Sequence, residues 1–378
     1  MPKIKIVHIL HSLGGVDVYL RLINKNINSE LFENIIIHGE KDTKKAFSDK
    51  NGNILKEYLI PIFREISFLN DLKSIYFTYT ILKREKPQLI HAHSAKGGLI
   101  GRFLGKILGI NVLFTPHAFS FLSEQKKLKR MIFLSIEKLT VFDNSYVLAT
   151  SNSEKNRALR EVKYPKQRTL LFTNSIEPIT NLCSSSLKKT WNDEYICTVG
   201  RPSFQKNIEL MIRVLAEVNK VKKIHLVVMG VGLHLHDNLI KVEKLIEDLN
   251  MHNNVTLLKW TERDDVFQII KNSKFYISTA RYEGLPYSII ESFALGKPAV
   301  VSDCDGNKDL VQDGYNGFIV KNENIIEYRD KIVNLLTNDK LLEELSVNAL
   351  KSFYENYNIV KNIKYLEEIY SNYAKRDE

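Results

Sequence analysis

The sequence is poor in cysteine, and the few cysteines it has are scattered. Its 378 residues include three, Cys183, Cys197 and Cys304, which form no CxxC pair. An odd number at wide spacing argues against a disulfide framework or a cysteine-zinc cluster and favours a reducing compartment. Apolar runs of about 18 residues, the length that spans a bilayer, are also missing. Met1 leads into a strand-like segment rather than a signal peptide, so we predict a soluble, unsecreted protein.

Basic residues exceed acidic ones, and the excess lies in the first half. The formal net charge is +10; residues 1–180 carry 28 Lys and Arg against 16 Asp and Glu, and the remainder carries 26 against 28. A basic surface of this kind indicates nucleic acid, an anionic membrane, or only the lysine-rich usage of an AT-rich genome. At about 150 residues per domain, the length predicts two domains.

Short apolar runs alternate with segments of helical period, which predicts an α/β protein with two doubly wound parallel sheets. In the first half we predict strands at Lys3–Ile9, Asn34–His38, Leu89–His93, Val112–Pro116, Tyr146–Thr150 and Thr169–Thr173, with helices at Asp17–Asn26, Asp71–Lys83, Gly97–Leu108 and Glu124–Leu139. In the second half we predict strands at Tyr195–Val199, His225–Met229, Val255–Leu257, Phe275–Ser278 and Ala299–Ser302. The predicted domains are 1–177 and 193–353, joined by a turn-rich linker at 178–192. A final helix at 354–378 is expected to pack back toward the first domain.

Ligands of open parallel sheets bind beyond the carboxyl ends of the strands, so the loops there are expected to hold the functional residues. The turn at Gly14 and Gly15 lets backbone approach a phosphate or sugar, or is a plain tight turn. It is not GxGxxG, which disfavours a nicotinamide dinucleotide. His117 ends a buried strand and is either structural or catalytic. His91 and His93 would share a strand face, but no third ligand at matching spacing is evident, so no metal is expected.

Two loops of the second half carry the stronger signals. Arg201 and Lys206 follow a predicted strand, with Lys206 placed in the first helical turn, where they would grip a diphosphate. The segment from Glu283 to Glu291 places two carboxylates around a helix that Pro286 opens. Carboxylates bind hydroxyls and helix N–H groups bind phosphate, so the pattern suits a polyol attached to a phosphate.

Together these residues resemble glycosyltransferase family 4, a large retaining family with the GT-B fold, in which two Rossmann-like domains face each other across a cleft. The resemblance rests on Glu-Gly-Leu-Pro-x4-Glu-Ser at 283–292, Arg201-x4-Lys206, Gly14-Gly15, Thr115-Pro116-His117, and the segment from Asp303 to Gly317. It covers nearly the whole chain and is strongest from 195 to 320.

The resemblance implies roles for these residues. Arg201 and Lys206 would hold the donor diphosphate as it leaves, and Gly14 and Gly15 would approach the phosphate. The implied sugar-nucleotide contacts are Glu291 to the ribose, Glu283 with Gly284, Leu285 and Pro286 to the transferred sugar, and His117 beside the anomeric carbon. Fixed cations would take the place of a metal ion, so no cofactor beyond the donor is expected. The catalytic residues that the resemblance implies are His117, Glu283, Arg201 and Lys206.

Two residues depart from the family pattern, and one short segment imitates a metal-binding motif. Asp17 stands near a position where Glu is common, and Asp309 stands where Glu is usual in the late loop. Asp303-Cys304-Asp305 imitates a metal-binding DxD, but the GT-B fold implied by the resemblance uses no metal.

The function expected from the resemblance is metal-independent, retaining hexosyl transfer. The chain would move a hexose or N-acetylhexosamine from a UDP-sugar to a lipid-linked oligosaccharide for O-antigen or capsule. The first domain would bind the acceptor and the second the donor. The alternatives are a nucleotide-sugar epimerase or hydrolase on the same fold, or a basic nucleic-acid-binding protein, which the lack of a recognised module disfavours.

The basic first half also predicts peripheral attachment to the inner face of the cytoplasmic membrane. Residues 119–134 combine Lys126, Lys127, Lys129 and Arg130 with aromatic and aliphatic side chains. This composition is typical of a segment that lies among lipid headgroups. The alternative is an ordinary helix whose buried face holds Met131, Ile132, Leu134 and Leu139.

Overall fold

The computed structural model describes residues 2–11, 14–43, 45–63, 67–180, 182, 187, 189–231, 236–259 and 261–375. The chain divides into two compact units: Met1–Glu177 with Ile359–Glu378 forms the first, and Pro178–Asn358 forms the second. Cys183 and the rest of 183–186, in the predicted linker, lie outside the described residues, as do residues 12 and 13 of the first turn. Within the described part of the chain, no helix is both long and apolar enough to cross a bilayer.

The first unit contains a seven-stranded parallel sheet. Its strands are β1 (Ile4–Ile9), β2 (Phe32–Gly39), β3 (Lys56–Ile60), β4 (Leu89–His93), β5 (Asn111–Thr115), β6 (Ser145–Ala149) and β7 (Thr169–Leu171). Their order in the sheet is β3-β2-β1-β4-β5-β6-β7. The direction of winding reverses between β1 and β4, and the crevice beyond such a reversal is where open α/β sheets bind ligands.

The second unit contains a six-stranded parallel sheet. Its strands are β8 (Tyr195–Val199), β9 (His225–Met229), β10 (Val255–Leu258), β11 (Tyr276–Ser278), β12 (Ala299–Ser302) and β13 (Gly317–Val320). Their order is β10-β9-β8-β11-β12-β13, so the winding reverses between β8 and β11. The loops after these two strands therefore border the second reversal point.

Helices connect the strands and cover the sheets. They are α1 (Gly15–Asn26), α2 (Phe68–Glu85), α3 (Ser94–Leu108), α4 (Lys127–Leu139), α5 (Asn152–Arg157), α6 (Ile208–Val221), α7 (His236–Asp248), α8 (Arg263–Asn272), α9 (Tyr287–Ala294), α10 (Asn307–Leu310), α11 (Ile325–Thr337), α12 (Asp339–Ser352) and α13 (Ile359–Tyr373). Because α13 begins after Asn358, it belongs to the first unit.

Burial on both faces explains the unbroken apolar strands. β9 is buried along its whole length, and β1 is buried from Ile6 to Ile9. Strands covered by helices on both sides lose the alternation of apolar and polar residues that marks a half-exposed sheet. The core of the first unit is accordingly divided between the two faces of its sheet, since Ile35 and Ile37 belong to one apolar cluster and Ile36 belongs to another.

The structure corrects several predicted elements. β3 and β13 were not predicted. The prediction that Lys206 lies in a helical turn is wrong, since α6 begins at Ile208 and Lys206 lies in the preceding loop. The helix predicted from Glu124 begins at Lys127, because Ser120–Leu122 forms a separate 3-10 turn.

Candidate active site

In the second unit, the loop after β8 and the loop after β11 meet through an ion pair. Lys206 Nζ lies 2.8 Å from Glu283 Oε1. Gln205 Nε2 donates to the other carboxylate oxygen of Glu283 at 3.2 Å. The Lys206 side chain passes over Gly200, where a Cβ atom would stand 3.2 Å from it. The predicted lysine and carboxylate therefore lie together at the reversal point of the sheet.

The charge of Lys206 is maintained by this pairing. Burial acts to lower the pKa of Lys206, but the adjacent Glu283 carboxylate outweighs it, so the pKa stands above the ordinary lysine value. Lys206 is therefore cationic at neutral pH, with its ammonium group held in place by Glu283.

Backbone contacts fix the two loops to each other. Arg281 N donates to the Gln205 carbonyl at 2.8 Å. Thr279 Oγ1 donates to the Asn207 carbonyl at 2.9 Å. Asn207 itself is left-handed, with φ 49°, a conformation that asparagine tolerates better than most residues. Arg201 lies half-buried two residues beyond the end of β8, in the same loop as Lys206.

The turn before α10 packs against the Glu283 loop. Gly306 has φ 79°, and a Cβ atom there would stand 2.5 Å from the Gly284 carbonyl oxygen. Pro286 is the residue before α9, and as a proline it has no N–H. Of the three residues predicted to contact the sugar through their amides, only Gly284 and Leu285 can therefore donate a hydrogen bond.

Glu291 lies on α9, a little more than one turn from its start, and pairs with a residue that no sequence motif marked. Arg263 Nη2, at the start of α8, lies 2.7 Å from Glu291 Oε1. Burial raises the pKa of Glu291, and the Arg263 guanidinium counters part of that rise. Glu291 thus offers a buried carboxylate whose second oxygen is not in this ion pair.

In the first unit, the predicted glycine turn leads into α1. Gly14 precedes the helix with φ 57° and ψ −125°, a backbone conformation that favours glycine, and Gly15 is the first helical residue. Asp17, in the first turn, accepts a hydrogen bond from Arg21 Nε at 2.8 Å. Gly14 and Gly15 therefore place a helix N-terminus just beyond β1, as the sequence predicts.

His117 sits in a strained turn after β5. His117 and Ala118 have φ values of 53° and 75°, which cost non-glycine residues on the order of 1–2 kcal/mol each. The buried Glu154 carboxylate, on α5, stabilises the turn by accepting a hydrogen bond from Ala118 N at 2.7 Å. Strain that the surroundings maintain in this way is typical of functional sites.

Four histidines lie close together at the ends of β1, β4 and β5. The ring nitrogens of His8, His91 and His93 lie within 4.8 Å of one another, so the prediction that His91 and His93 have no third potential metal ligand is wrong. His8 could have been found from the sequence by counting histidines near the carboxyl ends of neighbouring predicted strands. All six ring nitrogens of these three residues already have hydrogen-bond partners in the structure. A metal ion would have to displace those bonds.

The acidic residues of the late loop show a different arrangement. Asp303 is exposed, and Asp305 is 3.1 Å from Lys308 Nζ. Among the described residues, the candidate metal cluster is made of histidines and includes neither aspartate. Tyr357 donates to the backbone carbonyl of Asp309 at 3.1 Å, which assigns no role to the Asp309 carboxylate.

Two family models match the chain. The model described as "Glycosyltransferase Family 4" matches residues 13–178, and "Glycosyl transferases group 1" matches residues 184–352. The chain belongs to glycosyltransferase family 4. The matched segments cover most of the chain, and each contains the site residues of one unit.

Known relatives agree with this family. The chain is 26% identical over 383 residues to UDP-Gal:alpha-D-GlcNAc-diphosphoundecaprenol alpha-1,3-galactosyltransferase of Escherichia coli, covering 97% of each chain. It is 26% identical to the capsular polysaccharide biosynthesis glycosyltransferase CapM of Staphylococcus aureus, covering 87% of this chain and 90% of CapM. The solved structure of Anabaena HepE in complex with UDP and glucose matches with a TM-score of 0.79 at 18% identity, over 97% of this chain and 99% of HepE. The fold is GT-B, as predicted, and the chain is a glycosyltransferase similar to bacterial polysaccharide enzymes.

Proposed function

We propose that this protein is a retaining glycosyltransferase that moves a hexose or N-acetylhexosamine from a UDP-sugar to a lipid-linked oligosaccharide in bacterial surface polysaccharide synthesis. The observation that carries the proposal is the Lys206–Glu283 pair at the reversal point of the second sheet. A fixed cation beside a sugar-binding carboxylate suits a donor that is both a diphosphate and a polyol. Similarity to an enzyme named for UDP-Gal and a diphosphoundecaprenol acceptor supports the choice of both substrates.

Lys206 and Arg201 would stabilise the charge that develops on the leaving diphosphate. The bond between the anomeric carbon and the diphosphate oxygen breaks, and the acceptor oxygen forms its bond on the same face of the sugar. The acceptor's proton passes to the departing diphosphate oxygen. Preorganised charges of this kind act without further reorganisation, so no divalent cation is needed in the proposed step.

The remaining residues would bind the donor's hydroxyl groups. Glu291 would accept hydrogen bonds from the ribose, with Arg263 supporting its ionised form. Glu283 and the N–H groups of Gly284 and Leu285 would bind the transferred sugar, and His117 would contact the same sugar.

Transfer assays with UDP-galactose, UDP-glucose, UDP-N-acetylglucosamine and GDP-mannose, using a synthetic lipid-diphosphate-GlcNAc acceptor, test the proposal. We expect a UDP-sugar to be used with retention, EDTA to leave most of the activity, and Lys206→Ala to lower turnover by roughly 10²- to 10³-fold, as for loss of one charge stabiliser. Arg201→Lys should not restore the wild-type rate, because a point charge does not replace a bidentate guanidinium.

Lys220→Ala is the matched control, since Lys220 is an exposed lysine paired with Glu217 on α6. Near wild-type turnover for Lys206→Ala, or complete loss in EDTA with recovery in Mn²⁺, would contradict the mechanism. Release of UDP or an altered sugar without an acceptor would instead identify a hydrolase or epimerase.

We propose further that α2, α3 and α4 rest on an anionic membrane at the cytoplasmic face. The connections β3–β4, β4–β5 and β5–β6 run in one direction across the sheet, and right-handed crossovers place all three helices on the same side. Ion pairs join neighbouring helices at 2.7 Å (Lys96–Asp71) and 2.9 Å (Arg102–Glu137).

The outward face of this helical layer is apolar. Its exposed side chains are Phe68, Leu69, Leu72, Tyr76 and Phe77 on α2, Leu99, Phe103 and Ile107 on α3, and Leu128, Met131, Ile132, Ile136 and Leu139 on α4. The alternative of a buried face is wrong for three of its four residues, since Met131, Ile132 and Leu139 are 64%, 48% and 77% exposed. Exposed apolar side chains grouped on neighbouring helices are typical of an interaction site.

Cations border this apolar face. Lys126, Lys127 and Lys129 are exposed at the start of α4. The apolar side chains would enter the headgroup region of the membrane. Each cation near anionic lipids would add about 1 kcal/mol to the free energy of binding. The protein would then bind the membrane without spanning it.

Co-sedimentation with phosphatidylglycerol vesicles and with phosphatidylcholine vesicles, at low and high salt, tests the attachment. We expect binding to the anionic vesicles at low salt and a marked loss of binding in the Lys126/Lys127/Lys129→Gln variant. A second triple variant, Lys220/Lys222/Lys223→Gln, removes the same charge from exposed positions of the second unit and should bind like the wild type. Equal pelleting of both variants, or no pelleting at low salt, would show that α4 is not the contact.

A further inference from the structure

A line of hydrogen-bonded side chains runs through the first unit and ends at His117. Asn34 Oδ1 lies 3.3 Å from His8 Nε2, His8 Nδ1 lies 3.1 Å from His93 Nε2, and His93 Nδ1 lies 3.2 Å from His117 Nε2. His8 and His93 are fully buried, and Asn34 is 6% exposed. The line therefore crosses the sheet from β2 through β1 and β4 to the turn after β5.

The asparagine end fixes the direction of the hydrogen bonds. Asn34 Nδ2 donates to Asn24 Oδ1 at 2.6 Å, so it is the Asn34 carbonyl oxygen that faces His8. That oxygen only accepts, so His8 must donate from Nε2. A neutral imidazole has one donor and one acceptor, so His8 Nδ1 accepts from His93 Nε2.

The same rule carries the assignment to His117. With its proton on Nε2, His93 has an unprotonated Nδ1, which accepts from His117 Nε2. His117 therefore carries its proton on Nε2, and its Nδ1 is left as a hydrogen-bond acceptor. Reversing the Asn34 amide would reverse every bond in the line and make His117 Nδ1 a donor.

The neutrality on which this assignment depends follows from burial. Loss of hydration lowers the pKa of His8 to about 4 and that of His117 to about 3, and it lowers the pKa of His93 well below the ordinary value. Each ring therefore carries one proton at neutral pH.

We propose that Asn34, His8 and His93 are positioning residues that hold His117 in the Nε2-protonated tautomer, so that Nδ1 accepts a hydrogen bond from a hydroxyl of the transferred sugar. The identity of that ligand rests on the proposed function, whereas the tautomer does not. The hydrogen bond made by one ring nitrogen of a histidine sets whether the other nitrogen carries the proton. Asn34, His8 and His93 would act on His117 in this way.

Long-range ¹H–¹⁵N NMR of the full chain labelled at histidine measures the tautomer directly, with His117 assigned by loss of its signals in His117→Gln. We expect His8, His93 and His117 to be protonated at Nε2 in the wild type. Asn34→Asp should preserve that pattern, because a carboxylate only accepts. Asn24 Nδ2, which lacks a hydrogen-bond partner among the described residues, can then turn to donate to Asp. Asn34→Leu should give a mixture of His117 tautomers.

Tyr370→Phe is the matched control. Tyr370 hydrogen-bonds to His91, whose ring is tilted against that of His93 without belonging to the line, so His117 should keep its wild-type pattern. A His117 protonated at Nδ1 in the wild type or in Asn34→Asp would overturn the proposal. So would an unchanged tautomer in a folded Asn34→Leu protein.

Kinetics provide the second measurement. Asn34→Leu should lower kcat by roughly 10- to 100-fold, the range for partners that orient a functional histidine, while Asn34→Asp should remain closer to the wild type. If no sugar nucleotide is a substrate, the proposed function fails and the NMR result still decides the tautomer. If transfer occurs but His117 is protonated at Nδ1, the proposed function survives and the positioning role fails.

Discussion

At the scale of single residues, Gly306 determines how closely two loops of the second unit can approach each other. A Cβ atom there would stand 2.5 Å from the Gly284 carbonyl oxygen. Because that neighbour is backbone, it cannot move aside as a flexible side chain would. We expect Gly306→Ala to destabilise the second unit by roughly 1–3 kcal/mol and to weaken UDP binding by displacing the Glu283 loop.

Gly314→Ala separates this clash from backbone strain. Gly314 has φ 75°, close to the 79° of Gly306, but no atom lies within 4 Å of its added Cβ. Both tryptophans belong to the second unit, so urea unfolding followed by tryptophan fluorescence reports on that unit. Equal losses of stability in the two variants would mean that strain alone, and not the contact with Gly284, requires glycine at 306.

The same scale shows which site residues a sequence can reveal. Arg201, Lys206, Glu283 and Glu291 lie at fixed spacings in two loops, so short motifs mark them. Arg263 stands 28 residues before its partner, Glu291, and the pair forms only because α8 packs beside α9. Contacts of this kind depend on how the helices pack against the sheet and each other. The spacing of residues within a short motif does not predict that packing.

At the scale of elements, the strands that the sequence predicted best are those buried on both faces. β4, β8, β9 and β12 have the predicted bounds, because a short, unbroken apolar run between turns has few other interpretations. β3 was missed because it is an edge strand that begins with Lys56 and Glu57 and is largely open to solvent. β13 was also missed: it is an edge strand of the second sheet, has only four residues and begins with Gly317.

Hydrophobic periodicity also does not predict which charged side chains are buried within helices. Arg102 on α3 is 1% exposed and pairs with Glu137 on α4 at 2.9 Å. The helical period places both side chains on the covered faces of their helices. A hydrophobic pattern nevertheless predicts that any charged residue is exposed to solvent. The pair shows that α3 and α4 are fixed to each other beneath the apolar face that we assign to the membrane.

At the scale of the whole molecule, the chain returns to its first unit through α13. Tyr370 of α13 lies against the histidines at the centre of that unit, with its hydroxyl 2.8 Å from His91 Nδ1. The core of the first unit thus combines residues from both ends of the chain. Three uncharged imidazoles, His8, His91 and His93, lie within it, and the half-buried His117 lies beside them. Its stability therefore depends on those imidazoles remaining neutral.

Acid should unfold the first unit by protonating these histidines in the unfolded chain. Burial lowers the folded-state pKa of His8 to about 4 and of His117 to about 3, and it lowers the pKa values of His91 and His93 well below the ordinary histidine value. The unfolded chain, with histidine pKa values of about 6.5, binds these protons first. The stability is therefore fully present above about pH 6.5 and is lost as the pH falls toward 4, by up to about 1.4 kcal/mol per pH unit for each histidine.

Native-state hydrogen exchange of the β1 and β4 amides at pH 7, 6 and 5 measures this slope for the first unit. His91→Gln removes one of the four histidines with a lowered pKa and should reduce their combined contribution to the slope by about one quarter, whatever it does to stability at pH 7. His252→Gln, at an exposed position of the second unit, should leave the slope as it is in the wild type. Because the slope counts protons taken up on unfolding, an unchanged slope in His91→Gln would mean that His91 is protonated equally in the folded and unfolded chains.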